Sequence, residues 1–213
     1  MTPVLWGRKS SVNVQKVMWM LAEIGRAYER IDAGFTYGQV GTSTFSQMNP
    51  NRRVPVWQDG DFSLWESHAI LRHLARSNGP VGYDAVADQW MEFVTSTLQP
   101  PFISVFYQTV RLPKETRNKD ILEQQSDILN AALAVIESRL STVDWLNGTE
   151  FSTAEIAMGP VMHRIFDIDW DRKDVPAIQR WLHRLRDRPA FQNCVMISYD
   201  ELRGDLNGFT VTS

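Results

Sequence analysis

Val54-Pro55-Val56-Trp57-Gln58-Asp59-Gly60-Asp61-Phe62-Ser63-Leu64-Trp65-Glu66-Ser67 is the stretch on which the fold turns. Val54 to Trp57 and Phe62 to Trp65 are apolar runs rich in β-branched and aromatic residues, and Asp59-Gly60-Asp61 between them is a hairpin signal. A helix follows from about Glu66 to Arg76, burying Ala69, Ile70, Leu71 and Leu74. Upstream, Val4-Leu5-Trp6 ended by Gly7 suits a buried strand. Val14, Val17, Met18, Leu21 and Ile24 then recur at helical spacing, with Gly25 as the stop. Tyr28 to Ala33 reads as a second strand. Residues 34–46 are rich in Gly, Thr and Ser, which predicts a loop or a poorly defined helix. The order βαβ, irregular link, ββα implies a parallel pair with a crossover plus an antiparallel hairpin. That is a mixed four-stranded sheet with helices on its faces, an α/β domain.

After Ser77 to Asp84 the chain reads as helix after helix, so the boundary lies there, with domains at residues 1–78 and 84–213. The second is an all-α helical bundle. Its candidates are Ala85 to Val110, kinked at Pro100-Pro101, and Lys114 to Leu140. Phe151-Ser152-Thr153-Ala154-Glu155 opens another helix with a capping box, continuing from Ile156 to Phe166. Two shorter helices, Pro176 to Asp187 and Pro189 to Ile197, begin at prolines. The tail after Arg203 looks irregular.

Of 213 residues, 43% are hydrophobic and 22% charged, ordinary globular usage that argues against disorder. The single cysteine, Cys194, excludes an internal disulfide, a CxxC redox pair and a multi-Cys zinc site, and fits a reducing compartment. His68, His73, His163 and His183 show no metal-ligand spacing, so no metal is expected. A net charge of −3 does not suggest nucleic-acid binding. Residues 1–83 carry nine Lys and Arg against six Asp and Glu, which fits a small anionic ligand on the first domain. Neither a secretory signal nor a membrane span is evident, so a soluble cytoplasmic protein is expected.

Two positions invite chemistry. Pro55 inside a strand-like run is either an edge-strand proline or a cis residue that turns the Val54 backbone outward to pair with an extended ligand. Ser67, at a strand-to-helix turn, is either a plain cap or part of a helix N-terminus suited to a carboxylate, with Glu66 beside it able to accept an ammonium. The second pair of readings would grip both ends of an α-amino acid group.

Four segments together resemble the cytosolic glutathione S-transferases: Ser11 and Asn13 before a helix containing Lys16; Asn49-Pro50-Asn51-Arg52-Arg53-Val54-Pro55-Val56; Trp65-Glu66-Ser67-His68-Ala69-Ile70-Leu71; and Ser152-Thr153-Ala154-Glu155-Ile156-Ala157. The resemblance covers almost the whole chain and is nearest to bacterial members that use serine or threonine with a nearby asparagine, rather than tyrosine or cysteine. It implies a thioredoxin-like N-terminal domain that binds glutathione and a helical C-terminal domain that completes an electrophile pocket. It also implies that Glu66 and Ser67 hold the γ-glutamyl group, that Val54 pairs with the cysteinyl backbone ahead of a cis Pro55, and that Arg53 meets the glycine carboxylate. Arg52 departs from the pattern, since similar proteins carry glycine there.

By the same resemblance, Ser11 donates a hydrogen bond to the glutathione thiolate and Asn13 adds a donor or orients Ser11. Ser10 competes with Ser11 for that role. The electrophile pocket is expected between Trp6 to Ser10 and the first long C-terminal helix, lined by Trp6, Phe102, Phe106, Tyr107 and Arg111, with Phe209 as a possible cover. The family is dimeric, so a homodimer is expected. Conjugation of a small hydrophobic electrophile is the leading activity. A glutathione-dependent reduction of a disulfide or peroxide, or a non-catalytic binding protein, are the alternatives.

Overall fold

The computed structural model describes residues 2–76 and 81–204. The first part contains β1 (Val4–Trp6), α1 (Val12–Glu23), β2 (Glu29–Ile31), α2 (Ser43–Met48), β3 (Val56–Asp59), β4 (Phe62–Trp65) and α3 (Ser67–Arg76). The sheet order is β2-β1-β3-β4. β1 runs parallel to β2 with Val4 opposite Glu29, and antiparallel to β3 with Val4 opposite Gln58. β4 closes the antiparallel edge with Trp65 opposite Val56. Side chains alternate across the strands. Leu5 and Trp57 therefore join the main core with α1 and α3, while Trp6 and Val56 face a smaller core with Ala33 and Phe45 of α2.

Several boundaries differ from the sequence expectation for identifiable reasons. β3 begins at Val56 because a cis Val54–Pro55 peptide precedes it. The irregular link holds a 3₁₀ turn at Phe35–Tyr37 and the short α2, whose first turn is closed by Thr42 Oγ1 accepting from the Phe45 amide at 3.2 Å.

The second part begins as one continuous helical run. α4 (Ala85–Phe93) passes through a π turn at Val94–Leu98 into α5 (Gln99–Phe106), which ends in a second π turn at Tyr107–Arg111. The break expected at Pro100-Pro101 takes the form of that first π turn. It leaves both prolines at the start of α5, where a missing N–H costs little. α6 spans Lys119–Leu140 rather than starting at Lys114, because the Asn118 side chain accepts from the Ile121 amide and sets the N-terminus there. α7 (Thr153–Asp167), α8 (Pro176–Arg186) and α9 (Pro189–Cys194) follow. α9 is shorter than expected. The tail from residue 205, including Phe209, lies outside the described residues.

α1 and α3 of the first part pack on α7 of the second, and α1 also meets α9. Trp19 is fully buried at this seam, edge-on to Phe191 with ring centres 4.8 Å apart. A Cβ at Gly159 of α7 would stand 2.7 Å from the Trp19 ring, so only glycine permits this approach. Arg188 adds a two-pronged pair to Glu23, at 2.8 and 2.6 Å.

Candidate active site

The first polar corner is the β1–α1 loop. Gly7 turns the chain where a Cβ would collide with Val14, and Ser11 then occupies the N-cap of α1 at φ −79°, ψ 119°. Its side chain makes no cap hydrogen bond. Ser10 is different. It is buried and donates to Glu201 Oε1, while Tyr37 donates to Glu201 Oε2 at 3.0 Å.

Asn13 is tied into a part-buried polar chain across the domain seam, in which Lys16 and His68 are the buried members. Gln99 Nε2 donates to Asn13 Oδ1 at 3.3 Å, and Lys16 Nζ donates to Gln99 Oε1 at 3.2 Å. Lys16 Nζ also lies 3.1 Å from His68 Nε2, and His68 Nδ1 lies 3.0 Å from Thr95 Oγ1. Thr95 donates its own proton to the Met91 carbonyl. The set is therefore satisfied by a neutral His68 that donates from Nδ1 and accepts at Nε2. Burial pushes the Lys16 ammonium down to about 7, with the Glu66 carboxylate pulling the other way. Burial, then the Lys16 and Arg72 charges, holds His68 well below its ordinary range.

A second polar corner is the β4–α3 turn. Glu66 is exposed and held at φ 68°, a region non-glycine residues seldom enter and one that recurs at ligand sites. Ser67 opens α3 and is buried. Beside them the Asn49–Val54 loop is pinned by buried Asn49, which donates to the Arg53 carbonyl at 2.7 Å and accepts from the Asn51 amide at 2.9 Å. Arg52 sits at φ 53°. The loop thus keeps the left-handed conformation that suits glycine although an arginine stands there, and Arg53 projects to solvent.

Across the cleft the second domain brings Tyr107 and Arg111 to Arg8 and Phe35 of the first. The Arg8 and Arg111 guanidinium carbons lie 5.7 and 4.8 Å from the centre of the Phe35 ring. Burial raises the Tyr107 phenol, opposed by the charges of Arg111, Arg8 and Arg53. The other expected pocket residues lie elsewhere. Trp6 is on the opposite face of the sheet, edge-on to Phe45 at 6.2 Å with its indole N–H donating to Gln58. Phe102 and Phe106 are buried in the main core, packed on each other at 5.8 Å. The helical spacing that grouped all four C-terminal residues spans two faces, because Phe102 and Phe106 form one i, i+4 pair and Tyr107 and Arg111 another, and adjacent positions such as Phe106 and Tyr107 point about 100° apart on a helix.

Arg8, Phe35, Lys16 and His68 escaped the sequence reading as site residues. Phe35 lay in a segment without periodicity, and a lone arginine, lysine or histidine carries no signal until its neighbours are known. Cys194 is buried near α1, where burial pushes its thiol up to about 11, so it is not a nucleophile at neutral pH. Among the described residues, no three His, Cys, Asp or Glu side chains cluster so as to hold a metal ion, and no helix is long and apolar enough to cross a membrane.

A four-stranded mixed sheet is seamed to a helical bundle, and the class of protein with this two-part build is given by its relatives. Residues 1–76 match the family described as glutathione S-transferase, N-terminal domain, and residues 86–189 match the corresponding C-terminal domain. The chain is 35% identical to glutathione S-transferase GstB of Escherichia coli K12 over 202 residues, covering 91% of this chain and 97% of that protein. It is 29% identical to glutathione S-transferase 4 of Zea mays, covering 87% and 88%. Among solved structures it superposes on the theta class glutathione S-transferase of Xanthomonas axonopodis pv. citri with glutathione bound. The TM-score there is 0.89 at 34% identity, over 92% of this chain and 98% of that one. This chain belongs to the glutathione S-transferase family and is a glutathione transferase.

Proposed function

We propose that Ser11 is the hydroxyl that stabilises the glutathione thiolate, and that the activated sulfur attacks a small electrophile admitted between Arg8, Phe35, Tyr107 and Arg111. The observation that carries this reading is the contrast between the two serines. Ser10 spends its proton on Glu201, whereas Ser11 makes no cap bond at the N-terminus of α1. In the complex, Glu66 and Ser67 hold the γ-glutamyl group, the Val54 backbone pairs with the cysteinyl residue, and Arg53 meets the glycine carboxylate. Asn13, held by Gln99, orients the thiol end.

A free thiol titrates near 8.5, and bringing it down by ~2 units takes about 2.7 kcal/mol of preferential thiolate stabilisation. One charge-assisted hydrogen bond of roughly 1.5–3 kcal/mol, with the positive end of α1, supplies that. Serine is too weak a base to take the proton, which leaves to solvent. The thiolate then forms a C–S bond as the leaving group departs with its electron pair.

The assignment extends to a thioredoxin-like domain at residues 1–78, a helical domain at 84–213, a cytoplasmic location and a homodimer. The test is calorimetry with glutathione, together with turnover of 1-chloro-2,4-dinitrobenzene and of a small disulfide, on wild type and Ser11→Ala. Binding with lost conjugation in the variant supports the assignment. Undiminished conjugation by Ser11→Ala moves the role to Ser10 or Asn13. Turnover of the disulfide alone replaces conjugation by glutathione-dependent reduction.

A further inference from the structure

Arg8 and Arg111 offer more positive charge than glutathione binding at Glu66, Ser67, Val54 and Arg53 requires. They come from different domains and converge on one ring, Phe35. That ring is held in the cleft by a backbone at φ 56°, uncommon for a residue with a bulky side chain. Arg111 is buried and Arg8 half-buried, so their mutual repulsion is poorly screened. Burial, then the Arg111 charge, lowers the Arg8 pKa.

Glu201 faces Arg8, but its two carboxylate oxygens accept from Ser10 and Tyr37. Among the described residues no ion pair joins it to Arg8, and Arg8 Nε is buried without a hydrogen-bond partner. Two guanidiniums flanking an aromatic face, one with a donor unspent, match a planar anion on an apolar body. Guanidinium forks fit carboxylates, and burying an anion between like charges relieves their repulsion.

From this convergence we infer that the second substrate is an electrophile bearing a carboxylate, its anionic end held by Arg8 and Arg111 and its apolar body against Phe35 and Tyr107. The inference rests on the glutathione-transfer reading and adds the substrate class to it.

The test compares 4-chloro-3,5-dinitrobenzoate with its primary amide as partners for glutathione. In each, thiolate attack at the chlorine-bearing carbon forms a C–S bond and expels chloride, the thiol proton passing to solvent. Corrected for the uncatalysed rates, wild-type kcat/KM should favour the benzoate by about tenfold or more, the worth of one good charge-assisted contact. Arg8→Leu and Arg111→Leu should each abolish most of that preference by raising KM for the benzoate far more than for the amide, with the KM for glutathione changed less than about twofold. Equal use of the two compounds by wild type overturns the inference. So do variants that depress both alike or that raise the KM for glutathione.

Should the variants not fold, inhibition of wild type by 4-nitrobenzoate against 4-nitrobenzamide, competitive with the electrophile, decides the matter. Stronger inhibition by the carboxylate supports the inference, and parity overturns it. Calorimetric binding of glutathione reports on the transfer reading separately. Glutathione bound without carboxylate preference overturns this inference alone, whereas no glutathione binding overturns both.

Discussion

Ser11 and Ser152 stand at the same place in two helices, the N-cap of α1 and of α7, and do opposite things there. Ser152 is fully buried, its Oγ accepting from the Ala154 amide at 3.2 Å and donating to Glu155 Oε2 at 2.7 Å. Glu155 returns the favour, accepting from the Ser152 amide at 2.9 Å and the Leu146 amide at 2.6 Å. Ser11 closes nothing. A cap that is complete stabilises the fold and leaves no group for a ligand. A helix start left open keeps its hydroxyl and its positive end available, at a small cost in stability. Each end also has a buried ion near it, Lys16 in α1 and Glu155 in α7.

The contrast can be broken or sharpened by substitution, beginning with those buried ions. Lys16 titrates at about 7 in the fold against 10.5 in the unfolded chain. Between those values the unfolded chain binds more protons, so stability rises with pH across the window, and below about 7 the cost is fully present. By linkage this rise reaches at most about 5 kcal/mol. Urea unfolding at pH 7 and pH 10 should show wild type gaining on Lys16→Met, and parallel curves would contradict the shift.

Glu155→Ala should cost about 3–5 kcal/mol in the same measurement at pH 7, because two buried amides lose their acceptor at once. A loss below about 1 kcal/mol would mean that water replaces the carboxylate.

Ser11→Ala should lower kcat/KM with 1-chloro-2,4-dinitrobenzene by roughly 10- to 100-fold, the worth of one hydrogen bond to a thiolate. The apparent pKa in its pH–rate profile should move up toward the free thiol's 8.5. Stability should change by less than about 0.5 kcal/mol, since no cap is lost. Ser152→Ala reverses the pattern, costing about 1–2 kcal/mol of stability with kcat of the folded enzyme unchanged. Equal behaviour of the two alanine variants, in either measurement, would erase the distinction.

The smallest effect is expected at His163, which burial, aided by the Arg186 charge, takes down to about 4. Its neutral form is the one the fold prefers, so stability falls as pH drops from about 6.5 toward 4. Replacing His163 with Gln should flatten that acid limb slightly in a pH series of thermal melts.

Much of this molecule was legible in its sequence because it rests on short-range patterns. The hairpin around Asp59-Gly60-Asp61, the apolar spacing of α1 and α3, and the capping box at Ser152 and Glu155 each depend on neighbours within a few residues. The pocket was less legible. Phe102, Phe106, Tyr107 and Arg111 read as one helical stripe, but they are two i, i+4 pairs offset by one residue and so face two directions, Phe102 and Phe106 toward each other and Tyr107 and Arg111 toward Arg8 and Phe35. Phe35 gave no signal, as it lies in a turn with no period. Lys16 and His68 look like ordinary surface types in sequence, and their burial follows from packing α1 and α3 against the Thr95–Gln99 segment.

Local patterns along the chain were enough for the order of strands and helices, the two-part architecture, the family resemblance and a short roster of polar residues at helix and strand ends. Tertiary structure alone decided which of two adjacent serines is free, because the group that occupies Ser10 is Glu201, 191 positions along the chain. It likewise brought Arg8 and Arg111 to one ring. Periodicity is written locally in a chain. Which donor meets which acceptor is settled when distant segments close on one another.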